Sequence, residues 1–362
     1  MAEEVYNFGK WTVARIVCLP ALIMPYKVRI EYISLLSKLT HIPFYTFGTL
    51  ARFLIQKLHI SFPEPKTTPP KSVQTTQKHS VVSPSSVAVL YSGGTDSTCT
   101  AALMADQFKK VHLLTFYEHA TRFSPVPHKN IALLGKRFPK TDFEHAYLSV
   151  DKLVKYFWYE NYLKHLRENG FLVLSTCGFS TLSWHVRVII YCLEHNITQV
   201  ADGLTRELLH FPGHMDPIIH EFKHLYKTFG ITYKNPVREY PVPEDQQFID
   251  KLIVNRHGGE YVLGDTLATQ RKTTGQYLYS IGLFEKPNLK GSRKDFDMQH
   301  DCYPFALYNI LAFWGYLSVE PYESFSERVH KIMKEKTAHA KHLIDSYTQS
   351  KEKSSLHLLL QP

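Results

Sequence analysis

Six consecutive residues carry the strongest chemical signal in the chain: Ser92-Gly93-Gly94-Thr95-Asp96-Ser97. They lie between an apolar run, Val87-Ala88-Val89-Leu90-Tyr91, and a helix-compatible stretch from Thr98 to Phe108. Gly93 and Gly94 lack Cβ atoms, so the backbone can turn sharply and bring its amides close to a ligand. The amides that follow belong to the first turn of a helix and have no intrahelical acceptor. With the helix dipole, such donors suit an anion. Ser92 and Ser97 add hydroxyls, and a carboxylate at Asp96 beside an anion site predicts a bridging Mg²⁺. The loop is not a Walker A loop, because no lysine follows it. It is not a dinucleotide fingerprint either, because Ser97 and Thr98 stand where a third glycine is needed. The plain alternative is a Gly-Gly turn with no ligand.

Other residues qualify by type and place. Arg187 sits near the start of an expected helix and would neutralise phosphate or hold a substrate carboxylate; its alternative is a surface arginine. Asp202 and Gly203 end an expected strand, with Arg206 and Glu207 directly after. Strand ends of this kind bind ligands, although a capping acid in a turn would look the same. His210, His214, His220 and His224 are grouped, as ordinary neutral histidines or, less commonly, as metal ligands. His214 and Asp216 are the better substrate contacts. Cys177 is a candidate sulfur carrier or a small buried residue, and Cys192 reads as core. Gly264-Asp265-Thr266 and Gln270-Arg271-Lys272 form a polar patch that could close over a ligand or bind a polyanion. Lys290 to Lys294 reads as a solvated basic loop.

The elements needed to position these groups follow from the apolar rhythm. Strands are expected at 87–91, 111–117, 147–150 and 199–202, with helices at 98–108, 131–138, 151–168 and 183–195. Alternation of this kind implies an α/β fold, a parallel twisted sheet with helices on both faces and Rossmann-like in outline. Beyond about residue 240 the rhythm weakens. Helices are expected at 245–256 and 302–316, and a solvated helix or two over 320–348. Residues 1–60 are apolar and basic, with amphipathic helices at 28–39 and 47–58. They form an N-terminal helical appendage, either packed on protein or lying in a membrane interface. Residues 61–85 carry five prolines among Ser, Thr, Lys and Gln and read as a linker. The expected organisation is therefore 1–60, 61–85, 86–240, 241–348 and a tail from 349 to 362.

The 362 residues carry a net charge of +9 and five widely spaced cysteines with no C-x-x-C pair. The cysteine pattern argues against a four-cysteine zinc site and fits a reducing cytoplasm. A secretory signal is not expected, because Glu3 and Glu4 stand where a basic n-region would be. The expected localisation is cytoplasmic, with peripheral contact to the inner face of a membrane if residues 1–60 lie in one. The charge favours a phosphate-bearing partner.

Ser92 to Ser97 resembles the S-G-G-x-D-S signature of the PP-loop (N-type) ATP pyrophosphatases. The resemblance implies an adenine-nucleotide alpha-hydrolase-like fold, with ATP and Mg²⁺ as cofactors. It also implies cleavage between the α and β phosphates, with AMP placed on a carboxylate or carbonyl oxygen and displaced by a nitrogen or sulfur nucleophile. The pattern is most similar to the cyano-deazaguanine synthases in Val111 to Tyr117, His185-Val186-Arg187, Ile197 to Gly203, Phe211 to Asp216 with Glu221-Phe222, and Asn235-Pro236-Val237. It departs from them in lacking the zinc cysteines, of which only Cys302 is near the right place, and in having Tyr117-Glu118-His119 after the second strand. The residues it implies for the nucleotide are Tyr91, Ser92, Gly93, Gly94, Thr95, Asp96, Ser97, Thr115, Phe116, Asp202 and Gly203, with Mg²⁺ on Asp96. Catalytic roles fall to Asp96, Ser97 and Arg187, and substrate contacts to Arg206, His214 and Asp216. The expected partner is a small-molecule or peptide carboxylate, the expected assembly a homo-oligomer. One alternative is a tRNA-modifying member of the same superfamily, of thiolation or lysidine type; another is a membrane-associated nucleotide-binding module without turnover.

Overall fold

Five short segments pair into one parallel sheet: β1 (Ser86–Leu90), β2 (Lys110–Tyr117), β3 (Asp142–Ser149), β4 (Gln199–Asp202) and β5 (Thr232–Lys234), in the order β3-β2-β1-β4-β5. The computed structural model describes residues 86–118, 121–122, 127–160, 162–170, 172, 177–206, 209, 211–241, 272–290, 295, 298, 301–302 and 320–361. The expectations for residues 1–85, 245–256, 264–271 and 302–316 lie outside or almost wholly outside these.

The central strands are largely apolar and buried because both faces are covered. Val87 and Val89 point to one face, where they pack with Cys99, Ala102 and Met104 of α1 (Thr95–Ala105) and Leu134 of α2 (Pro127–Arg137). Ala88 points to the other face, into a cluster with Leu153 of the short α3 (Asp151–Val154). That cluster also takes Val186 and Ile189 of α5 (Cys177–His195) and Phe222 of α6 (Asp216–Thr228). Between α3 and α5 runs α4 (Tyr162–Asn169). The first face also takes Leu278 of α7 (Thr274–Ser280). The second takes Phe325, Val329, Met333, Ala340 and Ile344 of α8 (Tyr322–Ser350), and Leu356 of α9 (Ser355–Leu360). Helices on both faces of a parallel sheet are the architecture expected from the sequence.

Several boundaries differ from expectation for identifiable reasons. The helix expected over 151–168 is interrupted by a π turn, Lys155–Tyr159, and by extended backbone at Glu160. Leu153, Val154, Phe157 and Trp158 are all buried, and a widened turn lets these consecutive pairs share one side. Asn235-Pro236-Val237, one of the segments that carry the family resemblance, leads from β5 into a turn. Residues 322–350 form a single helix rather than a solvated one or two. Its buried Phe325, Val329, Met333, Thr337, Ala340, Ile344 and Tyr347 make a stripe at three- and four-residue spacing. No helix among the described residues is long and apolar enough to cross a membrane.

The order places the site. The chain runs outward from β1 to β3, then returns through α5 to lay β4 on the other side of β1. The carboxyl ends of β1 and β4 therefore flank a topological switch point, where sheets of this type leave a crevice. Residues 92–97 leave β1 at that point.

Candidate anion-binding site at the switch point

The loop turns at Gly93, whose φ of 86° lies in the left-handed region that favours glycine. The Gly93 carbonyl accepts from Asn130 Nδ2 of α2 at 2.7 Å and from Thr98 Oγ1 at 3.4 Å. Ser92 and Ser97 hydroxyls meet at 3.1 Å, and Ser97 Oγ also donates to the Gly94 carbonyl at 3.2 Å. Helix α1 begins at Thr95, three residues before the sequence expectation, so Thr95, Asp96 and Ser97 all lie in its first turn. The Gly94 amide is held by Ser92 Oγ at 3.3 Å and the Thr95 amide by Asp295 Oδ1 at 3.2 Å.

Gly203 completes the crevice from β4. A Cβ there would come within 2.7 Å of the Ser97 nitrogen and 2.9 Å of the Asp96 carbonyl carbon. Only glycine lets β4 pass this close to the loop. Thr100 Oγ1 ties the same corner by donating to the Asp202 carbonyl at 3.1 Å.

Three side chains far along the chain close on the loop. Lys290 Nζ pairs with Asp96 Oδ1 at 3.0 Å, and Thr274 Oγ1 donates to that oxygen at 2.5 Å. Asp295 accepts from both the amide and the hydroxyl of Thr95. The solvated basic loop expected from Lys290 is thus corrected at its first residue: the Lys290 side chain is only 5% exposed. The cause is its partner, because a lysine is buried only where a carboxylate meets it. Lys290→Met is expected to lower the unfolding free energy by about 1–2 kcal/mol, since Asp96 then loses its counter-charge. Urea denaturation measures this, and an unchanged midpoint would show that the pair stabilises nothing.

The donor set fits the phosphates of a nucleotide: first-turn amides and two serine hydroxyls, with Gly203 packed against the Ser97 amide. The fit of Mg²⁺ on Asp96 is poorer, because Oδ1 is already shared by Lys290 and Thr274. No group of three or more His, Cys, Asp or Glu able to hold a metal occurs among the described residues.

On the β2 side, Tyr91 is buried and its ring hydroxyl lies 3.5 Å from Thr98 Oγ1, with burial pushing its ionisation up. Thr115 donates to the Tyr91 carbonyl at 2.7 Å, so its hydroxyl joins two strands. Phe116 stacks on Trp184 of α5 with ring centroids 6.0 Å apart. Glu118, directly beyond β2, is a buried carboxyl with Ser180 Oγ 3.0 and 3.3 Å from its two oxygens. Burial raises its pKa to about 7. Glu118 stands in the sequence only as a departure from a pattern; an acid at the carboxyl end of a central strand is the signal that marks it.

At the ends of β4 and β5 the expected substrate residues come together. Arg206 pairs with Asp216 at 3.0 Å, and Arg238 joins the same carboxylate at 2.8 Å. Arg238 also donates to the carbonyls of Thr205 at 3.0 Å and His214 at 2.8 Å. Glu239 pairs with Arg206 at 3.3 Å. Burial lowers the His214 imidazole to about 3, and the neighbouring Arg238 charge acts the same way. Arg238 and Glu239 were missed from the sequence, although a charged pair directly after a short strand is a legible sign.

Two expectations are corrected. Asp202 is buried, and its carboxylate accepts from Tyr233, from Asn235 Nδ2 at 2.8 Å and from the Leu204 amide at 3.1 Å. It organises the β4–β5 corner, and its carboxylate is used by protein. Arg187 is not near a helix start. α5 begins at Cys177 rather than 183, so Arg187 lies about 15 Å along the axis. Its charge interacts with Glu194 and Tyr347, and burial lowers its pKa. His220 and His224 are exposed on α6, and Glu207 and His210 lie outside the described residues. Cys192 is buried as expected.

No family model matches the chain, and no curated protein matches it. Among solved structures it is similar to a predicted subunit of tRNA methyltransferase from Methanocaldococcus jannaschii, at 18% identity and a TM-score of 0.30. That match covers 45% of this chain and 74% of the other. It is also similar to the U34-tRNA thiolase NcsA from Methanococcus maripaludis with its [4Fe-4S] cluster, at 11% identity and a TM-score of 0.27. Here 71% of this chain and 72% of the other are covered. Neither similarity is close enough to carry an activity over to this chain.

Proposed function

We propose that the protein is an ATP pyrophosphatase of the PP-loop type that adenylates a carboxylate or carbonyl oxygen. The observation that carries this reading is the Ser92–Ser97 loop at the switch point, between β1 and the first turn of α1, with Gly203 packed closely against Ser97. The acceptor oxygen bonds to the α-phosphorus, the bond from that phosphorus to the α–β bridging oxygen breaks, and pyrophosphate leaves. A nitrogen nucleophile then displaces AMP. Amides of the first turn and the hydroxyls of Ser92 and Ser97 take the charge of the leaving pyrophosphate. The Arg206, Asp216, Arg238 and Glu239 cluster, with His214, flanks the acceptor and orients it. Mg²⁺ carried by the nucleotide would supply further positive charge to the leaving pyrophosphate.

The test is product identity. Purified protein given ATP and a panel of small carboxylates is expected to release AMP and pyrophosphate. Oxygen-18 in the acceptor carboxylate should appear in AMP. Release of ADP and phosphate instead would sink the reading.

The net charge of +9 favours one second reading, a tRNA-modifying enzyme with the same first step. Such a protein would co-purify with tRNA and lose it as salt rises. Absence of nucleic acid at low salt would remove this reading and leave the small acceptor.

A further inference from the structure

One carboxylate of the protein already occupies part of the anion site. Asp295 Oδ1 takes the Thr95 backbone N–H at 3.2 Å and the Thr95 hydroxyl as well. Thr95 opens α1, an 11-residue helix, so its amide is one of the first-turn donors that an anion would use. Asp295 is 8% exposed, so this is a seated contact rather than a surface encounter. Its neighbours hold it there. The Met298 amide donates to the Asp295 carbonyl at 3.1 Å. Asn130 Nδ2 lies 3.4 Å from Met298 Sδ and also donates to the Gly93 carbonyl at 2.7 Å. One asparagine thus ties the Asp295 turn to the loop. Five residues earlier, Lys290 neutralises Asp96. The same stretch of chain therefore presents an acid to Thr95 and a base to the residue beside it.

We propose that Asp295 is an internal competitor of the nucleotide phosphates, an autoinhibitory contact that must leave Thr95 before pyrophosphate can be held by the full first turn. The proposal rests on the ATP reading above. A carboxylate and a phosphate oxygen are both anionic acceptors, and a single amide and hydroxyl cannot serve both at full strength. Apparent affinity for ATP is then the intrinsic affinity reduced by the fraction of molecules in which Asp295 has released the loop.

The test uses the full chain and two variants, Asp295→Asn and Asp295→Ala, titrated calorimetrically with ATP and with inorganic pyrophosphate. Both substitutions remove the competing charge, and the first keeps the side chain's shape should the second fail to fold. The expected result is tighter binding of both ligands, by about 10-fold if the wild-type loop is nine-tenths occupied by Asp295. Unchanged affinity in a folded variant overturns the proposal. Weaker binding overturns it too, and would give Asp295 the opposite role of helping to hold the metal-bound nucleotide. If wild type binds ATP and the variants gain nothing, only this inference fails. If neither ligand binds wild type or variants at millimolar concentration, the ATP reading fails and takes the inference with it.

Discussion

Replacing Gly203 by Ala is expected to weaken ATP binding by about 10- to 100-fold while the protein still folds. The added Cβ would lie 2.7 Å from the Ser97 nitrogen, 2.8 Å from its Cα and 2.9 Å from the Asp96 carbonyl carbon. All three are backbone atoms in the first turn of α1, so no side chain can swing away to make room. Crowding of this kind costs about 1–3 kcal/mol. It is relieved by moving either the end of β4 or the first turn of α1. Thr100 bonds the Asp202 carbonyl, so the corner resists separation. The loop amides are then displaced relative to one another. Gly203 has no positive φ among the residues that do, so alanine tests crowding rather than backbone freedom. Calorimetric titration with ATP, beside a denaturation curve, separates binding from folding. Wild-type affinity in the variant would remove the loop–β4 contact from the site.

Replacing Glu118 by Gln is expected to stabilise the protein at high pH and to leave it nearly unchanged at pH 4. Burial raises the Glu118 pKa from 4.5 to about 7. Between those values the folded protein holds a proton that the unfolded chain has lost. The favourable contribution of the protonated carboxyl is therefore complete below pH 4.5 and is lost as pH rises through 7. Glutamine imitates the protonated form at every pH. The difference between variant and wild type should grow from pH 4.5 to 7 and level off, reaching about 3 kcal/mol. His185 works in the other direction. It is buried against Tyr226, its hydroxyl 3.0 Å from Nδ1, and burial lowers its pKa to about 3. Stability linked to it is present above pH 6.5 and is lost as pH falls. Comparing Glu118→Gln with wild type at each pH cancels the His185 contribution. Urea midpoints at pH 4 and pH 8 decide the matter, and a difference that does not widen with pH would mean that Glu118 is ionised throughout.

The strands that carry the loop were legible because both their faces are covered. Val87 to Leu90 is a continuous apolar run, and Val111, Leu113 and Leu114 with Val200 and Ala201 keep the neighbouring strands mostly apolar. The edge strand β3 was seen only from Tyr147, because its earlier residues, Asp142 to Ala146, are half-exposed or exposed and polar in part. Arg187 was misplaced through a helix start. Ser180, Thr181 and Ser183 look like poor helix formers, yet all three are buried, and Ser183 Oγ satisfies itself on the Phe179 carbonyl at 2.8 Å. Moving the start to Cys177 carries Arg187 from the first turns to the middle of α5. Thr274, Lys290 and Asp295 left no signal at all. Each meets the loop across roughly 180 to 200 residues, and a contact at that separation has no periodicity or spacing to betray it. Local pattern located the loop; only the return of the chain revealed what closes on it.

That return also sets an order of events during synthesis. The partners of the loop are drawn from Asn130, Gly203, Thr274, Lys290 and Asp295. A nascent chain still on the ribosome can pair β1 with β2 and β4 long before Lys290 and Asp295 have emerged. Until then Asp96 lacks its counter-charge and the first turn of α1 lacks its internal acid. A chain that has not yet grown past residue 295 therefore has neither the Lys290 counter-charge to Asp96 nor the Asp295 acceptor for Thr95.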